Sequence, residues 1–104
     1  MKILFDQGTP APLRKILAPH SVCTTFERGW AGVENGALLA AAEQVFDAFI
    51  TTDKNLRYQQ NLSGRQLAIL VLPTTSWPEI QKHLGSVSDA VNALKPGDFI
   101  ELTF

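Results

Sequence analysis

Leu67-Ala68-Ile69-Leu70-Val71-Leu72 is an unbroken apolar run, closed by Pro73. A strand with one wet face alternates apolar and polar residues, whereas a strand buried on both faces does not, and such strands belong to parallel sheets covered by helices. Two more segments read the same way. Ile3-Leu4-Phe5 is short, continuous and apolar, and Asp6 ends it. Phe46 and then Ala48-Phe49-Ile50-Thr51-Thr52 lead into Asp53. A further strand is expected over Ser21-Val22-Cys23-Thr24-Thr25-Phe26, which is rich in β-formers. A last one is expected over Asp98–Phe104, whose alternation suits an edge position.

Helical segments separate these strands. Thr9 reads as an N-cap with Pro10 at the first helical position, ahead of Leu13, Ile16 and Leu17, and Pro19 stops the run. From about Asn35, Leu38-Leu39-Ala40-Ala41-Ala42 and Val45 have high helix propensity. Ser76-Trp77-Pro78-Glu79 has the capping-box pattern and opens a long helix to Leu94, with Ile80, Leu84, Val87, Val91 and Leu94 as its inward stripe. Pro96-Gly97 marks a turn. Strands alternating with helices predict an α/β domain of three layers: a mainly parallel sheet of about five strands, flanked by helices.

Composition bounds the rest. The 104 residues fit one domain, 1–104, and 45% hydrophobic with 18% charged residues supplies a real core. Nine basic and ten acidic residues leave a net charge of −1, so overall charge points to no polyanionic partner. The one cysteine, Cys23, can form no internal disulfide and reads as a buried structural thiol. No apolar run reaches the length of a membrane helix, and the first apolar run is too short for a signal peptide. A cytoplasmic protein without membrane attachment is the expectation.

Chemistry concentrates at two strand ends. In open parallel sheets ligands bind beyond the carboxyl ends of the strands. Asp6 and Asp53 stand there, and two converging carboxylates repel unless a divalent cation joins them. Hard oxygen ligands suit Mg²⁺ or Mn²⁺, and such an ion serves phosphodiester hydrolysis. The plainer reading is that aspartates follow strands because they start turns and cap helices. Lys54 and Arg57 flank the second acid and are candidates for phosphate contact, within a basic rim with Arg14, Lys15 and Arg28, or else belong to a solvated surface. Asn55 either orients a water or caps the next turn, the cap being preferred. Tyr58-Gln59-Gln60-Asn61 reads as loop packing or as substrate contact, packing being preferred, His20 and His83 as surface or turn residues, Trp30 as a loop anchor in preference to a substrate-groove wall, and Trp77 as a helix staple.

Three stretches carry a resemblance: Lys2-Ile3-Leu4-Phe5-Asp6 with Pro10; Glu27-Arg28-Gly29-Trp30-Ala31-Gly32 with Asn35-Gly36-Ala37-Leu38-Leu39; and Phe49 through Asp53 to Leu62. The chain resembles the PIN-like nuclease domains, in particular the short bacterial branch associated with toxin–antitoxin pairs. That resemblance implies a PIN-like fold and divalent-metal-dependent cleavage of RNA. It places Asp6 and Asp53 as the first- and third-strand acids, with Glu34 nearest to the middle acid, which the family places near the start of the second helix. These three would be the catalytic metal ligands. Lys54, Arg57 and Asn55 would meet substrate. An antitoxin protein and a second copy of the chain are the implied partners. Gln7-Gly8-Thr9 departs from the family's first motif. A non-catalytic domain of the same fold, binding protein or RNA, is the alternative. A phosphoacceptor domain of the receiver kind is disfavoured because no lysine follows Asp98–Phe104.

Overall fold

The computed structural model describes residues 1–56 and 64–104. Arg57 and the Tyr58–Asn61 run lie outside the described residues. In chain order the elements are β1 (Lys2–Phe5), α1 (Leu13–Ile16), β2 (Ser21–Thr24), α2 (Asn35–Val45), β3 (Ala48–Thr51), β4 (Ala68–Val71), α3 (Trp77–Gln81), α4 (Leu84–Ala93) and β5 (Phe99–Glu101). The strands form one sheet in the order β2-β1-β3-β4-β5, with every neighbouring pair parallel.

The continuous apolar runs are strands buried on both faces, as their sequences require. Alternate residues feed two cores. Ile3, Phe5, Ala48, Ile50, Ala68 and Leu70 meet Leu13 and Leu17 from the α1 segment and Ile80, Val87 and Val91 from α3 and α4. Leu4, Phe49, Ile69 and Val71 meet Leu38, Leu39 and Ala42 of α2, with Leu56 and Leu67. Each large side chain fully buried this way stabilises the fold by about 1.5–3 kcal/mol. β5 is an edge strand whose Ile100 and Glu101 are exposed.

Several local expectations differ from what forms. Thr9 caps no helix. Its hydroxyl donates to the Ile50 carbonyl at 2.9 Å, and α1 begins at Leu13, after Pro12. The long final helix is two helices, because His83 leaves helical geometry (φ −131°, ψ 30°) and Gly85 lowers the propensity beyond it. The inward stripe survives the break: Ile80, Val87 and Val91 are buried, and Leu84 and Leu94 pack against the same core. Ser76 caps α3, accepting from the Glu79 backbone N–H. Phe46 belongs to the end of α2, its N–H still donating to Ala42 O at 2.7 Å. Cys23 is half-buried against the α2-side core and not enclosed. Gly97 holds the turn before β5 at φ +83°, a conformation that favours glycine. No helix among the described residues is long and apolar enough to cross a membrane.

Candidate metal and substrate site

The strand order locates the site. The chain leaves β1 toward the α1 face, while after β3 it leaves toward the α2 face, where Leu56 is buried. Adjacent strands whose connections diverge open a crevice at their carboxyl ends, and this order has its switch point between β1 and β3. Asp6 follows β1 and Asp53 stands two residues past β3.

Register sets the side chains. Phe5 is level with Thr24 on one side and Ile50 on the other. The ladder continues one step, with Thr25 N donating to Phe5 O at 3.0 Å and Asp6 N to Ile50 O at 2.9 Å. Thr25, Asp6 and Thr51 therefore form a polar row across the ends of three strands. Thr25 and Thr51 are both buried, at 1% and 0% exposure.

Thr51 joins the two acids. Its hydroxyl donates to Asp6 Oδ2 at 2.8 Å and accepts from the Asp53 backbone N–H at 3.1 Å. Asp6 Oδ1 accepts from the Gln7 N–H at 2.9 Å. Asp53 Oδ1 accepts from the Asn55 N–H at 2.9 Å, and Asp53 Oδ2 accepts from Asn35 Nδ2 at 3.4 Å. So Asp53 caps the turn with its own carboxylate, and Asn55 contributes only a backbone donor there. Asn35, the first residue of α2, ties the start of that helix to the site.

The other candidates lie elsewhere. Glu34 is exposed at the N-cap of α2, makes no side-chain capping bond, and no hydrogen bond described for its side chain joins it to Asp6 or Asp53. Among the described residues no group of three or more His, Cys, Asp or Glu side chains is placed to hold a metal ion. Lys54 is exposed and lines a small cleft with Pro73, Glu101 and Leu102, at the ends of β4 and β5. Two residues of the expected basic rim have partners of their own. Arg14 pairs with Glu27, whose carboxyl that guanidinium holds below the usual 4.5, with help from the Thr24 N–H. Arg28 lies over the Trp30 ring at 4.6 Å. Trp30 anchors its loop, edge-on to Phe46 at 6.2 Å. Trp77 packs against the α1-side core. His20 bridges the chain's N-terminus and Asn92, and His83 stacks on Phe104 at 4.3 Å.

Asn35 and Thr51 were not expected at the site. Thr51 was detectable in principle: it shares its strand face with Phe49 and precedes Asp53 by two. Asn35 was not, because only the α2 crossover brings it to Asp53.

Comparison with models of known families, with curated proteins and with solved structures found no match. What the fold defines is a doubly covered, all-parallel five-stranded α/β domain with two aspartates at its switch point.

Proposed function

We propose that this chain is a PIN-like, divalent-metal-dependent ribonuclease, the toxin of a toxin–antitoxin pair, with Asp6 and Asp53 as its metal ligands. The observation that carries this reading is the Thr51 hydroxyl, which bonds the Asp6 carboxylate and the Asp53 backbone N–H at the ends of adjacent strands. The donor set fits Mg²⁺ or Mn²⁺. Each carboxylate oxygen has a lone pair beyond its single hydrogen bond. Mg²⁺ typically takes one or two carboxylates and fills its remaining positions with water and substrate phosphate oxygens. Bound there, the ion supplies Lewis acidity toward the phosphate and a nucleophile at neutral pH.

The protein's own residues prepare that step. Thr51 and Gln7 fix the Asp6 carboxylate, and Asn35 and the Asn55 N–H fix that of Asp53. Held oxygens need no reorganisation when an ion and a phosphate arrive. Lys54, Asn55 and Arg57, which follow Asp53 in sequence, remain the proposed substrate contacts.

One observation favours a second reading, a catalytically silent domain of the same kind that binds protein or RNA. Glu34 is exposed, and no third carboxylate joins the pair among the described residues. Incubation of the chain with single-stranded RNA and Mn²⁺ separates the two. Cleavage that Asp53→Asn abolishes supports the nuclease; equal cleavage by wild type and Asp53→Asn, or none by either, removes it.

A further inference from the structure

A second feature stands beside Asp6. A groove of about 590 Å³ is lined by Asp6, Gly8, Thr24, Thr25, Phe26 and Trp77. Phe26 is 80% exposed, the most exposed large hydrophobic side chain of the described residues. An exposed aromatic ring gains from a flat partner laid on it. Thr25 lines the same groove, is 1% exposed, and its Oγ1 has no hydrogen-bond partner within the described protein. A buried hydroxyl left unpaired is costly, and such groups are ordinarily paired by something.

We infer that this groove seats an unpaired base of single-stranded RNA, stacked on Phe26, with the Thr25 hydroxyl pairing to the same nucleotide. The inference rests on the nuclease reading for its choice of RNA. The chemistry of the groove favours that ligand. Single-stranded RNA is held in part by stacking its unpaired bases on exposed aromatic rings, and Phe26 offers such a ring. Asp6 lines the same groove, so a base on Phe26 sits beside one of the two proposed metal ligands. Duplex RNA, with its bases stacked inside, has no free face to offer the ring.

The test is fluorescence anisotropy with a short labelled single-stranded RNA, on the full chain in the presence of a chelator. Without metal no cleavage occurs, so binding is read independently of the nuclease reading. Wild type binds, and binds the same sequence annealed to its complement more weakly. Phe26→Ala loses about tenfold in affinity, as one lost base–aromatic stack predicts, and Phe26→Trp keeps it. Thr25→Val also weakens binding, while its thermal midpoint stays level or rises because an unpaired buried hydroxyl has gone. No binding by wild type, or equal binding by wild type and Phe26→Ala, overturns the inference. So does a change of molecular mass by light scattering in Phe26→Ala with RNA binding unchanged, since Phe26 would then join two copies of the chain. Phe26-dependent binding without any Mn²⁺-dependent cleavage would keep the groove and remove the nuclease.

Discussion

The Thr51 hydroxyl donates to Asp6 Oδ2 at 2.8 Å from a fully buried position. The same oxygen accepts from the Asp53 N–H. One side chain thus holds both strand ends. Thr51→Val keeps the shape and removes both bonds, so it is expected to cost about 1–3 kcal/mol in urea unfolding. Thr51→Ser keeps the hydroxyl and is expected to retain metal-dependent activity that Thr51→Val loses.

Gly8 lies where a side chain cannot. A Cβ there would come within 2.3 Å of Thr52 Oγ1, with Thr75 Cγ2 and Thr52 Cβ at an ordinary 3.7 Å. Gly8→Ala is expected to destabilise by about 1–3 kcal/mol, the usual cost of overpacking. Thr52→Ala removes the offending atom. The double variant is therefore expected to be more stable than Gly8→Ala alone, and a double-mutant cycle of unfolding free energies checks it.

Glu27 sets a small pH dependence. The Arg14 guanidinium, then the Thr24 N–H, lower its pKa from 4.5 in the folded chain. A depressed carboxylate pKa stabilises in full above the unfolded value and is lost as pH falls through the folded one. The stabilisation therefore fades below about pH 4.5, and both partners are solvent-accessible, so it is modest. Glu27→Gln is expected to flatten the fall of the thermal midpoint in that acid range and to leave its slope above pH 6 unchanged, as scanning fluorimetry across pH would show.

Asn35 and Glu34 are adjacent yet differ in consequence. Asn35 orients the Asp53 carboxylate, whereas Glu34 is exposed. Asn35→Ala is expected to weaken Mn²⁺ binding about tenfold, the usual result of removing a group that orients a ligand. Glu34→Gln is expected to leave Mn²⁺ affinity as it was, which titration calorimetry on the two variants decides.

The layered parallel sheet was legible because Ile3-Leu4-Phe5, Ala48–Thr51 and Leu67–Leu72 are too apolar for one-sided strands. The strand-end positions of Asp6 and Asp53 were legible for the same reason, as the acids that close such runs at matching ends. Strand order was not legible, since parallel strands joined by crossovers pair in several orders with one local pattern. Thr9 looked like a helix cap from its neighbour Pro10, but its hydroxyl found the Ile50 carbonyl on another strand. Phe26 looked like strand, and only the turn after Thr24 leaves its ring in solvent. The strand order and Thr9 were decided by partners distant in sequence, and Phe26 by a local turn.

The central claim is that the carboxylates of Asp6 and Asp53 share one divalent cation. Titration of Mn²⁺ into the purified chain, read by calorimetry and by the rise in thermal midpoint, tests it most directly. A single saturable event in wild type, lost in both Asp6→Asn and Asp53→Asn while each variant stays folded, is the expected result. Undiminished Mn²⁺ binding in either folded variant, or none in wild type, would contradict it.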